Sequence, residues 1–496
     1  GKWLAEYVRV RLVPRVEDDC SNQFGAVLSD MEAFDRPLDH QSMSNLGLPS
    51  HSMLPDRPPV YSAAGVVSLV APLFRAMAQL PDHTSHLCEI IDGVMADYLG
   101  RCETEAQRLV AGSIGGEKAR LLAGQATSGG GLGQAGHGSL VDTIRSDAHY
   151  EAYKLDYALG LRSPGVQPAW CPVLVGLDAQ EGGDADDGEG SDASGDGDES
   201  SVPTDTDSED SDGAGDDEAV FALEMHAHAN LFDFDAVPYA AASASILIAD
   251  KRTIEAVAAL AHSCEWLAHE VAKLCDMAYA KTSRRRQPSS HTSSGAKARR
   301  GLAPRLAMLL ATARRFSELG DRLVVCLRVD ACAACFHYLQ PTRRPPTDDI
   351  IRSSLAGLNR HCMSLQEAVE GCALPSMWMM VFSPVGRLIP RLLTKGVQFM
   401  ARDLHAEPLT YYNIDQLNRT AMALQQMAVN LMGGSAVDGF GSSPEEFARC
   451  RKYIGLLELS EEELETHDTT DGAFTEEEMA DQRRMGAPQR RGSHGP

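Results

Sequence analysis

Residues 252–280 read RTIEAVAALAHSCEWLAHEVAKLCDMAYA, and this stretch decides the fold. Ile254, Val257, Ala261, Cys264, Leu267, Val271, Leu274 and Ala278 recur every three or four residues. That period lays an apolar stripe along one side of a helix of some eight turns. A stripe of that length needs a partner helix to cover it.

The same period extends outward in both directions. Towards the C-terminus the pattern predicts a long helix or a broken pair over 304–340, ended by Pro341, Pro345 and Pro346, then helices over 347–372, 376–403, 408–432 and 444–466. Ser443-Pro444-Glu445-Glu446 has the form of a capping box with proline at the first helical position. Ser460–Glu463 and Thr475–Glu478 repeat the signature, so a last short helix is expected over 476–482. Towards the N-terminus, helices are expected over 2–33 with a kink at Pro14, over 61–81, over 85–124 with a break near Gly115–Gly116, and over 141–160. Strand alternation is scarce and no internal repeat of fixed period occurs. The expected fold is all-α: a rod of stacked antiparallel helical bundles cut by disordered acidic and basic insertions.

Composition divides the chain further. It has 496 residues, 43% apolar, with a net charge of −25. Residues 181–218 hold 17 of the 70 acids and no base; without them, 53 acids face 45 bases, a balance of −8. Such a run buries almost nothing apolar and is expected to be a disordered insertion. Ser208 and Ser211 lie among its acids and are candidate phosphorylation sites for acid-directed kinases. Lys281, Arg284, Arg285, Arg286, Lys297, Arg299 and Arg300 make a basic, serine-rich segment of opposite sign. It reads as a linker, a nuclear-import address, or a contact for a partner or an anionic leaflet. The arginines and Lys297 are the candidate contact residues. The expected organisation is N-terminal helical bundles over 1–123, a Gly-rich linker over 124–140, a short helical segment over 141–177, the acidic insertion over 178–219, a helical segment over 220–280, the basic loop over 281–303, C-terminal bundles over 304–482 and a frayed tail over 483–496.

The overall negative balance argues against a nucleic-acid-coating protein. The sequence shows no signal peptide. Its two best apolar runs are interrupted, 323–339 by Arg328 and Asp330 and 377–393 by Pro384, Arg387 and Pro390. The 12 cysteines show no paired spacing, as expected of reduced core thiols in the cytosol. The chain begins at Gly1 rather than Met, which suits a fragment or a processed product.

Motifs for chemistry fail on context. Gly131-Leu-Gly133-Gln-Ala-Gly136 lacks the preceding strand a dinucleotide site needs, and Cys332-Ala-Ala-Cys335 lacks the second ligand pair of a zinc site. His226-Ala-His228 has no strand series to supply further metal ligands, and His262 and His269 read as surface histidines. Asp348-Asp349-Ile-Ile-Arg352 puts a cation where an isoprenoid synthase needs its third carboxylate, so the two acids read as first-turn partners of a helix dipole. Asn418-Arg-Thr420 falls within an expected helix and is not read as a glycosylation site. Arg387, Arg391 and Lys395, four apart, read as a solvated helix face, with a partner surface as the alternative. No cofactor, metal or catalytic residue is expected.

A resemblance narrows the function. Residues 327–339, LRVDACAACFHYL, resemble the "LEVR-x-x-C-x-Y-x-L" helix of a vesicle-tethering subunit. Residues 417–426, LNRTAMALQQ, are similar to its "N-x-x-x-L-Q-Q" helix, and 447–457, FARCRKYIGLL, to its "F-A-R-x-Y-x-L-L" helix. Residues 459–464 match the acidic continuation, 474–478 the closing "Y-T-x-x-E", and 258–268 an earlier helix. The order and spacing of the blocks agree with the exocyst complex component four family, the subunit numbered eighth in the yeast secretory series. The acidic and basic insertions, and the lack of the family's N-terminal coiled-coil region, are departures. The resemblance implies a non-enzymatic helical scaffold of the exocyst. Its implied partners are the other subunits, with small GTPases and the anionic membrane met indirectly. It also implies a cytoplasmic location with recruitment to secretory vesicles and the plasma membrane. A scaffold of another trafficking or signalling system, and more remotely an all-α lipid or isoprenoid enzyme, are the competing readings.

Overall fold

Pro14 explains the first irregularity of the chain. It carries no amide hydrogen and its ring crowds the carbonyl four residues back. Helix α1 (Lys2–Tyr7) therefore passes through a π-helical stretch, Val8–Leu12, where the Val13 amide donates to the Val8 carbonyl five residues back, before α2 (Val13–Ser29) continues. The computed structural model describes residues 2–29, 34, 60–80, 83–113, 247–248, 250–284, 294–339, 348–370, 375–402, 411–431, 444–459, 463–464, 474–476 and 478–484. Within them the remaining helices are α3 (Tyr61–Gln79), α4 (Thr84–Ser113), α5 (Lys251–Arg284), α6 (Ser294–Tyr338), α7 (Asp348–Glu370), α8 (Pro375–Arg402), α9 (Tyr411–Leu431) and α10 (Pro444–Gly455). A 3₁₀ turn, Leu456–Glu458, follows α10, and a last helical segment covers 478–484. Among the described residues the fold is all-α, with no strand.

The stripe of 252–280 finds its partner in α6, and these two helices are the axis of the body. Asp250 starts α5: its carboxylate accepts the Arg252 amide at 3.2 Å and the Thr253 hydroxyl at 3.2 Å. Gly320 lets the helices close up, since a Cβ there would stand 3.1 Å from the Ala261 carbonyl oxygen. α3, α4 and α7 pack on α5, while α4, α7 and α8 pack on α6. α2 lies against α3 and α4, and α9 and α10 close over α8. Val257, Leu267, Val271, Phe316, Leu327, Leu365 and Phe382 are all inaccessible to solvent in one continuous apolar core. A smaller core of Val397, Ile414, Ala421, Tyr453, Ile454 and Met479 lies under α9, α10 and the C-terminal segment.

Several expectations change in detail. The 304–340 region is a single helix that begins at Ser294, so its backbone reaches into the segment read as a basic loop, and Pro304 sits inside it. The helix expected over 444–466 ends at Gly455 and tightens into the 3₁₀ turn. Ser443, the first residue of the capping box expected there, lies outside the described residues; Glu446 forms a two-pronged ion pair with Arg391 at 2.9–3.0 Å. The capping box at Thr475 does form: the Thr475 amide donates to Glu478 Oε2 at 2.8 Å and the Glu478 amide to Thr475 Oγ1 at 3.2 Å. Among the described residues, no helix is long and apolar enough to cross a membrane. The break near Gly115–Gly116, the 124–140 linker, the 141–160 helix and the acidic insertion lie outside the described residues, as does the tail beyond 484.

Candidate functional site

The described body's most concentrated buried polar chemistry sits on α6, within the apolar run 323–339. Arg328 is 3% exposed and Asp330 not at all. Residues two apart on a helix point about 200° away from each other, so each charge serves a different neighbour. Arg328 turns to α8. Its Nη1 donates to the Met380 carbonyl at 2.8 Å and to Ser383 Oγ at 3.1 Å. Met380 needs this donor because Pro384, four residues on, has no amide hydrogen to offer it. The arginine thus satisfies a carbonyl that the helix itself orphans.

Asp330 turns to α7 and to the entry of α5. One carboxylate oxygen accepts the Ile248 amide at 2.8 Å, and the other lies 2.7 Å from His361 Nε2. Burial by itself would push the His361 pKa down. The charge of Asp330 and the hydrogen bond to it outweigh that and hold the ring above its ordinary value. His337, on α6, is lowered by burial and by His361. The node therefore ties α6 to α5, α7 and α8 in the core.

A histidine beside a buried carboxylate is also the start of an acid–base pair, so its neighbours decide what it does. Cys362 stands next to His361 in sequence, and burial with Asp330 pushes its thiol up to about 12. Burial drives Cys326 and Cys335 well above the ordinary thiol range as well. These thiols stay protonated and are poor nucleophiles. Cys332 and Cys335 are buried among apolar side chains, as a helical reading of that pair requires. Among the described residues no group of three or more His, Cys, Asp or Glu is placed to hold a metal ion. The arrangement holds helices in register; it offers no activated nucleophile.

Other sequence candidates are redistributed. His262 is 4% exposed, a buried residue of α5 and not a surface histidine, because it falls on the side of α5 that faces its neighbours. His269 is half-buried, and burial lowers its pKa. Arg387, Arg391 and Lys395 are not a solvated face: Arg387 is buried, Arg391 is half-buried against Glu446, and only Lys395 is exposed. Asn418 and Thr420 lie inside α9, where Thr420 Oγ1 donates to the Gln416 carbonyl at 2.8 Å. Helix α7 begins at Asp348, where first-turn acids belong. Arg284 ends α5, and Lys297, Arg299 and Arg300 fall in the first turns of α6. Arg285, Arg286, Ser208, Ser211, His226, His228 and the Gly131–Gly136 motif lie outside the described residues.

The sequence reading passed over the Arg328–Asp330–His361 node, using Arg328 and Asp330 only to reject a membrane span. The signal was present: two charges deep in an apolar helical run, and a proline in an interior helix whose freed carbonyl needs a donor.

Comparison with known proteins follows the same direction as the ordered blocks. No family model matches the chain. It is similar to exocyst complex component 4 of Homo sapiens, 24% identical over 232 residues, which is 44% of this chain and 22% of the human protein. It is also similar to exocyst complex component 4 of Mus musculus, 24% identical over 160 residues, 31% of this chain and 15% of the mouse protein. Both matches support a relation to that component. The matched region spans under a quarter of the length of either relative.

Proposed function

We propose that the chain is a non-enzymatic structural subunit of the exocyst, a helical scaffold that helps hold secretory vesicles at the plasma membrane before fusion. The observation that carries this reading is the relation to exocyst complex component 4, found in ordered helical blocks and in two curated relatives. The physical build supports it. Long helices bury their stripes in one another, buried thiols stay protonated, and the polar node of α6 is spent on holding neighbouring helices. A rod of such bundles transmits position along its length and presents its outer faces to other subunits. On this reading the chain works in the cytoplasm, with peripheral recruitment to vesicles and the plasma membrane. Small GTPases act on the assembly rather than at a site in this chain.

Affinity capture from cell extract, with the other exocyst subunits quantified, tests the proposal. Their co-recovery supports it. Recovery of none, with a chain that includes the remaining length of the relatives, sinks it and favours a scaffold of another trafficking system.

A further inference from the structure

We propose that two copies of this chain pair antiparallel through the outward face of the N-terminal helix, from α1 through the π-helical stretch to the end of α2. This goes beyond the tethering proposal and does not depend on exocyst membership. The π-helical stretch sets the face. Val8 and Val13 lie five apart and both are buried, because that stretch takes more residues per turn than an α-helix. Val16, Cys20, Phe24 and Leu28 continue the inward side, which packs on α3 and α4. The outward side carries Trp3, Tyr7, Arg11, Arg15, Asp18 and Asn22, three or four residues apart and all exposed. Gly25 and Ala26 end it and are exposed too. Trp3 is 75% and Tyr7 50% exposed, and their rings stack with centroids 5.6 Å apart. Tryptophan, tyrosine and arginine on one stripe have the composition of an interface rather than of a solvated helix.

The order of the stripe identifies its occupant. The first half is aromatic and basic; the second is acidic and then small. Turned end for end about a two-fold axis near residues 14 and 15, the stripe complements itself. Arg11 then meets Asp18 of the second copy, Tyr7 meets Asn22, and Trp3 lies over Gly25 and Ala26. Symmetry makes each contact twice. Neither Arg11 nor Asp18 has an ion-pair partner among the described residues, so both charges are available. Arg15 stands beside the axis, where it faces its own copy, and Asp19 on the same helix, 4.0 Å away, offsets its charge. A Cβ at Gly25 would meet nothing within 4 Å in this chain, which leaves room for the indole. An anionic bilayer would suit Trp3 and Arg11 but would be repelled by Asp18 on the same stripe. Eight residues a side, against about 20–30 in a standard interface, make the pairing weak and dependent on concentration.

Sedimentation velocity of the full 496-residue chain over a range of concentrations tests this. The average mass should rise from one chain towards two. Arg11→Asp should weaken self-association about tenfold, since two exposed pairs per dimer turn from attraction to repulsion, and Asp18→Arg should do the same. An equimolar mixture of these two variants should recover the parent's association, because each copy then supplies the charge the other lacks. The double variant should recover it as well. Trp3→Ala and Gly25→Gln should each weaken association several-fold, while Arg360→Asp, an exposed reversal on α7, should leave it unchanged. All these positions are exposed or open to solvent space, and an unchanged helical signal in circular dichroism verifies folding. A chain that stays single up to its solubility limit overturns the proposal. So does unchanged association in Arg11→Asp or Trp3→Ala, or a mixture of the two charge variants that associates no better than either one. A parent that stays single yet sediments with phosphatidylserine vesicles also overturns it and points to a membrane contact instead.

Discussion

Replacing Arg328 by Met should destabilise the chain by about 3 kcal/mol, and most of that cost should disappear when Pro384 is also replaced by Ala. The guanidinium is 3% exposed and holds the Met380 carbonyl at 2.8 Å and Ser383 Oγ at 3.1 Å. Hydrogen bonds from a charged donor contribute about 1.5–3 kcal/mol, and a buried carbonyl left without a donor costs about 1–3 kcal/mol. Releasing the arginine from its own desolvation penalty offsets part of the sum. Methionine fills most of the stem volume, so little cavity cost is added. Alanine at 384 restores an amide hydrogen four residues after Met380, and that carbonyl then has a partner inside its own helix. The expected coupling between the two sites is therefore about 2 kcal/mol. Urea unfolding of the parent, both single variants and the double variant, followed by far-ultraviolet circular dichroism, measures it. A coupling below about 0.5 kcal/mol would refute the reasoning, because the arginine would then not be answering the proline.

Four further outcomes are expected. The Asp330–His361 pair stabilises the fold fully below the ordinary histidine pKa of 6.5, and that contribution is lost as pH rises through the higher folded-state value. His361→Gln should flatten stability against pH across that window, as read from denaturant midpoints, while an unaltered slope would remove the pair from the account. Gly320→Val should destabilise by about 1–3 kcal/mol, because its Cβ would stand 3.1 Å from a backbone oxygen of α5 and its methyls would have to press further in; thermal melting checks this. Glu478→Ala should break both the capping box and the 2.7 Å pair with Arg449, so amide exchange over 474–484 should accelerate while exchange in α5 and α6 stays slow. Cys326, Cys335 and Cys362 should resist an aromatic disulfide reagent until the chain unfolds, because each is buried with its pKa raised. Rapid labelling of any of them in the folded protein contradicts the protonated, inaccessible thiols described here.

Helix type and position were legible because an apolar stripe repeats its signal over many turns. Every residue from Ile254 to Ala278 in the quoted stripe is buried in α5. The Thr475 capping box was legible for a similar reason, since donor and acceptor lie three residues apart on the same chain. Spacing did not show that the Glu446 carboxylate pairs with Arg391, fifty-five residues away, because only packing brings the two together. His262, Arg387 and Arg391 were misplaced for the same cause. Polar residues on a helix are assigned to solvent by default, and only the packing of neighbours shows which of them are enclosed.

Local pattern by itself determined that this chain is helical and where most helices run. It also showed that the charge of −25 is mostly carried by one acidic run. Those properties follow from residue spacing and composition, which need no knowledge of distant contacts. The tertiary structure decided what the charges inside the helices are for. Arg328 and Asp330 look alike as interruptions in an apolar run, yet one answers a carbonyl orphaned on α8 and the other gathers an amide before α5 and a histidine on α7. Partners 52, 82 and 31 residues away cannot be read from spacing, because only the packing of helices brings a buried donor to its acceptor.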